Sequence, residues 1–333
     1  MSELFFIVGR GRSGTTLLSR ILMRHPRLDV APEGFFAMNL RRRYGAGPWD
    51  EARVERFCRD VVMENRMATW GLDLSHLADA LRAELESPGE ELDYRRACEL
   101  VYRCYAQSAH PDKAPAAVGD KNPHYALLTS ELCELFPTAR FVHIVRDYRD
   151  NIASYRTVPF DVSDTAALAY RWVRYNREIL RASAREPDRF VCIRYEDLLG
   201  RSEPTLTRVC EHLGVDYDPA LLDFHEGGHE GFYGEGSPWF ANLGKPLDAG
   251  QAEKWRQSMD DDDLRTADAI CGELGAQLGY RPASSGARAT ARDRLGQLYG
   301  WASVAAERMI FHTLPAEPRI RLINFYRSLS GRV

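Results

Sequence analysis

The chain has 333 residues, 44% of them hydrophobic, enough to bury one large α/β core or one domain with an appendage. Its net charge of −4 argues against a dedicated nucleic-acid binder, and no apolar run approaches the roughly 18 residues of a membrane span. Seven cysteines, odd in number and without a Cys-x-x-Cys pair, read as reduced thiols, neither a disulfide framework nor a zinc site. The apolar N-terminal run is too short for a signal-peptide core, so the fold is expected to begin at once, in a cytoplasmic protein.

In chain order, Leu4 to Val8 is short, apolar and rich in aromatic and branched residues, the pattern of a buried parallel strand. Gly9 to Gly14 is a turn. Thr15 to Arg24 carries Leu17, Leu18, Ile21 and Leu22 at helical spacing, and Leu28 to Val30 predicts a very short strand. Residues 49–110 have helical spacing, broken at Ser87-Pro88-Gly89. The spacing then predicts a helix over 126–136, a strand over 140–145, helices over 148–156 and 164–185, a strand over 190–194 and a helix over 203–213. Strands alternating with helices imply an α/β fold with a parallel sheet covered on both faces. Residues 225–250, rich in glycine, polar and aromatic residues, suggest a mobile loop. After Pro282, Ala-Ser-Ser-Gly marks a linker. The expected organisation is a domain over 1–282, with a helical insertion at about 35–118, and a helical tail over 283–333 that docks or pairs two copies through Leu295, Leu298, Ile310 and Phe311.

Gly9-Arg10-Gly11-Arg12-Ser13-Gly14-Thr15-Thr16 lies between a strand and a helix, where backbone N–H groups and the helix dipole make an anion site. Two generic patterns fit it imperfectly. The Walker loop needs a lysine where Thr15 stands, and no strand ends in a Mg²⁺-binding aspartate, which weakens a P-loop kinase. The dinucleotide fingerprint needs an acidic residue some 20 positions on, for which Asp29 is a poor candidate. Two arginines and three hydroxyls suit a terminal, many-bonded anion.

At these residues the chain resembles the 3′-phosphoadenosine 5′-phosphosulfate (PAPS)-dependent sulfotransferases, especially the branch that includes the tyrosylprotein sulfotransferases. The family's 5′-phosphosulfate loop, Arg-Ser-Gly-Thr-Thr after a first strand, is here Arg12-Ser13-Gly14-Thr15-Thr16. Its 3′-phosphate motif, an Arg ending a strand and a Ser eight residues later, is here Arg146 and Ser154. Such a pair can grip a second phosphate by charge-assisted hydrogen bonds. Asp120-Lys121-Asn122-Pro123 resembles the family's Lys-x-Pro segment. Arg194-Tyr195-Glu196-Asp197-Leu198 resembles the stretch whose Tyr lies against the nucleotide. Lys245-Pro246 and Lys254-Trp255 resemble the element that closes over it. The chain has four lysines against forty arginines, and three of the four fall on these positions. A retained Lys suggests that a compact point charge is wanted there. The family's Arg four residues after the motif Ser is Val158 here, with Arg156 the substitute at hand. The resemblance implies a P-loop-type three-layer fold and PAPS as donor, with no metal.

Sulfuryl transfer, like phosphoryl transfer, is in-line displacement helped by positioning and electrostatics. Glu33, 21 residues after Arg12, matches the family's catalytic glutamate and is the expected general base; capping the next helix is the bland alternative. Lys121 is expected to neutralise the leaving oxygen, and His124 is a rival base, as in the small-molecule branch. His225-Glu226-Gly227-Gly228-His229 mimics a zinc-protease motif, but two glycines argue against the helix that motif requires. Arg41-Arg42-Arg43 reads as a solvated face, Asp260 to Asp263 as a helix start and Trp172 as core. Trp239 and Phe240 could line an acceptor pocket. The acceptor, a hydroxyl or an amine, is open: a small metabolite, lipid or glycan is favoured, and a peptide tyrosine fits as well. A P-loop kinase, or a non-catalytic nucleotide-binding protein of the same fold, is the alternative.

Overall fold

Leu4 to Val8 is apolar toward both faces, and in the computed structural model it forms the middle of the sheet. The structure describes residues 3–64, 66–87, 91–158, 163–226, 243–284, 286–312 and 318. Strand β1 (Glu3–Val8) pairs in parallel with β3 (Ala117–Lys121) on one side and β4 (Arg140–Val145) on the other. β2 (Leu28–Ala31) and β5 (Phe190–Arg194) complete a five-stranded parallel sheet in the order β2-β3-β1-β4-β5. Successive side chains of β1 alternate between two cores, Phe6 and Val8 in one, Phe5 and Ile7 in the other.

Helix α1 (Thr15–Met23) follows the glycine turn. Between β2 and β3 lie α2 (Phe36–Asn39), α3 (Arg41–Tyr44), α4 (Glu51–Met63), α5 (Leu74–Glu86) and α6 (Tyr94–Ala109), whose apolar stripes pack on the Phe6 side. Then come α7 (Thr129–Leu135), α8 (Tyr148–Arg156), α9 (Thr165–Arg185), α10 (Tyr195–Gly200), α11 (Ser202–Leu213), α12 (Trp255–Ser258), α13 (Asp261–Gln277) and α14 (Ala291–His312). An aspartate starts most of the longer ones. Asp50, Asp73, Asp93, Asp164 and Asp260 each accept a first-turn backbone N–H, satisfying a donor the helix cannot.

β3 is a strand that the sequence reading did not separate from the insertion. Ala-Val-Gly-Asp-Lys has two charges and a glycine in five residues, so it lacks a strand's composition. Gly119 is there because a Cβ would lie 2.3 Å from the Phe5 ring on the neighbouring strand. Gly119→Val is therefore expected to overpack this contact, at typically about 1–3 kcal/mol, and to lower Tm by several degrees. An unchanged melting curve would show that the sheet yields at this point.

The described part of the tail is a single helix, and it docks differently from expectation. Leu295 and Leu298 are 68% and 62% exposed, and α14 meets α9 through its small residues instead. A Cβ on Gly296 would lie 2.6 Å from that of Ala166, and one on Gly300 would lie 2.8 Å from the Ala167 carbonyl. Ile310 is half-buried, and the Phe311 side chain lies outside the described residues. Of the expected loop, Pro219–Glu226 is a 3₁₀ turn anchored by Leu221 and Phe224, while residues 227–242 are outside the description, His229, Trp239 and Phe240 among them. No described helix is long and apolar enough to cross a membrane.

Candidate active site

In an open parallel sheet, ligands meet the crevice beyond the carboxyl ends of the strands. The residues singled out in the sequence leave the sheet at that edge. The glycine loop follows β1, Glu33 follows β2, Lys121 ends β3, Arg146 follows β4 and Tyr195 follows β5.

The loop turns tightly: the Ser13 N–H donates to the Arg10 carbonyl at 3.2 Å, and Gly14 sits at φ 96 as the cap of α1. A left-handed cap without a side-chain partner leaves the first N–H groups of α1 aimed into the crevice. Arg12 is also left-handed, at φ 62, an uncommon and costly setting for a side-chain-bearing residue. Its Nε donates to Ser154 Oγ at 3.1 Å, joining the two motifs across 142 positions. Burial, reinforced by Arg146 nearby, lowers the Arg12 guanidinium from its usual value. Ser13 is buried beneath the loop, and Asn151, on α8, bonds to it at 3.1 Å and to the Gly11 carbonyl at 2.9 Å. Nothing in the sequence reading marked Asn151.

Arg146 donates to the Arg12 carbonyl at 3.2 Å and lies 4.6 Å over the Tyr195 ring, which itself packs against Gly14. Its Nε is buried with no hydrogen-bond partner among the described residues, as a donor awaiting an anion would be. Asp150 accepts from the backbone N–H of Glu253 at 2.7 Å and of Trp255 at 2.8 Å, which fixes the turn that carries Lys254. Arg12, Gly14, Thr15, Thr16, Arg146, Ser154, Tyr195 and Lys254 line one cavity of about 440 Å³. Lys245 is exposed and does not line it. Arg156 does not replace the family arginine either. It pairs with Asp263, away from the cavity, and Val158 is buried.

Beside the loop, Lys121 Nζ donates to Glu33 Oε1 at 2.6 Å, and the other carboxylate oxygen pairs with Arg66. Glu33 is not a helix cap. The first helix after it begins at Phe36 with no side-chain cap. Lys121 is 5% exposed; burial and then the Arg66 charge push its ammonium down, with Asp120 opposing. Asp120 beneath it is fully enclosed, and burial pushes its carboxyl up to about 7. Asn122 Nδ2 donates to the Gly34 carbonyl at 2.8 Å, locking the Glu33 segment to the Lys121 segment. Arg66, at φ 67 between α4 and the next turn, was not found from sequence because no motif surrounds it. His124 stands 5.3 Å from Phe35, ring to ring, and its Nδ1 is 2.6 Å from Glu307 Oε1.

Residues 5–219, more than half of the chain, match the sulfotransferase family. Over 249 residues the chain is 34% identical to Stf3 of Mycobacterium tuberculosis, named an omega-hydroxy-beta-dihydromenaquinone-9 sulfotransferase. That match covers 63% of this chain and 62% of that protein. It is 27% identical over 230 residues to the protein-tyrosine sulfotransferase of Drosophila melanogaster, covering 67% of this chain and 40% of that one. The chain thus spans less than two thirds of either relative. Among solved structures, the sulfotransferase domain of the Synechococcus PCC 7002 olefin synthase superposes with a TM-score of 0.56 at 23% identity. It covers 84% of this chain and 95% of that domain, a likeness that shows the fold. The match begins in β1 and runs past β5, over the loop and the strand ends that gather at one edge of the sheet. The chain belongs to the sulfotransferase family.

Proposed function

We propose that this protein transfers the sulfuryl group of PAPS to an acceptor hydroxyl. The observation that carries this reading is the cavity in which Arg12, Ser154 and Arg146 converge, with the Glu33–Lys121 pair at the end of β3, the strand next to β1. The residues fit a nucleotide with two separated anionic groups. The α1 N-terminus with Thr15 and Thr16 would take the 5′-phosphosulfate, Arg146 and Ser154 the 3′-phosphate, and Tyr195 would lie against the nucleotide. Lys254 closes one side. In the reaction the acceptor oxygen forms a bond to sulfur while the bond from sulfur to the 5′-phosphate oxygen breaks. Glu33 takes the acceptor's proton, and Lys121 meets the charge that develops on the leaving oxygen. The hydroxyl is the acceptor group in the names of both relatives, one an omega-hydroxy dihydromenaquinone and one tyrosine.

Adenosine 3′,5′-bisphosphate should bind without Mg²⁺ and more tightly than AMP. A lost charged hydrogen bond typically costs about 1.5–3 kcal/mol. Arg146→Ala should therefore weaken the bisphosphate about tenfold or more and AMP much less. Calorimetry showing equal affinities for the two nucleotides would overturn the 3′-phosphate assignment. Incubation with ³⁵S-labelled PAPS and a panel of lipid alcohols, phenols and tyrosine peptides then tests transfer itself; label reaching none of them would count against the hydroxyl acceptor.

A further inference from the structure

The matched region stops at residue 219, yet the tail helix α14 reaches back to His124, on the segment that carries Lys121. Glu307 on α14 is 8% exposed and spends both carboxylate oxygens on named partners. Oε1 meets His124 Nδ1 at 2.6 Å and the Tyr175 hydroxyl, and Oε2 accepts from Arg171 Nη2 at 2.6 Å. Arg171 also donates to Ser303 Oγ at 2.9 Å, one turn earlier on α14. Burial alone would raise this carboxyl. His124, then Arg171, and the Tyr175 hydroxyl hold it well below the usual carboxylate range instead.

An ion pair that served only to dock the tail would need Arg171 and the small-residue contacts with α9. Oε1, which also takes the Tyr175 hydroxyl of α9, reaches further, to an imidazole on the segment that carries Lys121. That segment is tied to Gly34, the residue after Glu33, and His124 packs on Phe35 one position beyond. We infer that Glu307 is a positioning residue that holds His124 in place on the acceptor side, so that the C-terminal helix completes the active site. With Nδ1 committed to the carboxylate, any hydrogen bond that His124 exchanges with an acceptor hydroxyl goes through Nε2. This orients the hydroxyl toward Glu33 and rests on the transfer reaction proposed above. A base or its neighbour held by a third group is a recurring arrangement in catalysis.

The test uses the full chain with ³⁵S-labelled PAPS and 2-naphthol as a phenolic probe. Bisphosphate calorimetry and melting curves run in parallel. Glu307→Gln should lower kcat/KM for the probe about tenfold or more, Glu307→Asp should restore part of it, and bisphosphate affinity should stay within about twofold. In a His124→Asn background, Glu307→Gln should cause no further loss. A full further loss there, or a parallel fall in bisphosphate affinity, makes Glu307 structural and overturns the inference. Should Glu307→Gln fail to fold, His124→Asn alone decides: wild-type kcat/KM overturns the inference, and a tenfold loss supports it. If the wild-type chain does not turn over the probe, the transfer reading is at fault for phenols, and nitrogen NMR of His124 decides the positioning separately. The Nδ1 signal of a ring bonded to a carboxylate should move on Glu307→Gln, and an unmoved signal overturns the inference.

Discussion

Glu33→Gln should lower kcat by about 10²–10⁴ on a verified acceptor while leaving bisphosphate affinity nearly unchanged. Glutamine keeps the size and the hydrogen-bonding oxygen but cannot accept the acceptor's proton. Glu33 does not line the cavity formed by Arg12, Arg146 and Ser154, so those residues should not register the change. The carboxylate is held between Lys121 and Arg66, which fixes its direction. Single-turnover rates and calorimetry separate the two quantities. His124→Asn should cost far less than Glu33→Gln, because a positioned imidazole orients the hydroxyl and does not remove its proton. Turnover that survives Glu33→Gln and vanishes with His124→Asn would reverse the two roles.

Lys121→Met should lower kcat by about 10²–10³, the usual loss when a preorganised donor to a developing anion is removed. Methionine fills the same slot without the charge. At 5% exposure there is little water to take the ammonium's place, which is why the loss should be large. Lys121→Arg should not rescue it, because a planar guanidinium is longer and forked where this site holds a point charge. Near-wild-type turnover in Lys121→Arg would mean that any nearby cation suffices. That result would end the geometric assignment while leaving the nucleotide site intact.

The fold was legible wherever composition and periodicity agree. β1, β4 and β5 and the longer helices sit where the spacing put them. The turn between β1 and α1 was legible because its glycines and hydroxyls form one contiguous run, from Gly9 to Thr16. β3 was not, because two of its five residues are charged and serve the crevice, and a third is a glycine making room for Phe5. Arg66 and Glu307 were not legible for another reason. Each reaches the site from a separate part of the fold, 33 and 183 positions from the partner it holds, and single charged residues on such elements carry no signature. The tail was read from its large apolar residues, whereas small ones do the docking. Gly296 and Gly300 let two helix backbones approach closely, and that signal is weak in a chain with 25 glycines.

Among the described residues, three that bear side chains adopt left-handed backbone: Arg12, Arg66 and Glu253. The first two are the arginines beside Ser154 and Glu33, and the third adjoins Lys254. Each setting costs roughly 1–2 kcal/mol that glycine would not incur. Glycine would therefore suit the backbone better at all three, and would remove two cations and the Glu253 carboxylate that pairs with Arg256. Natural variation filtered for heat resistance alone would drift toward glycine here and yield sturdier, idle proteins. Under the proposed reaction, durability and turnover select opposite residues at Arg12 and Arg66. Ancestral or consensus variants that keep Arg12 and Arg66 despite that pressure would be the ones still carrying out the chemistry.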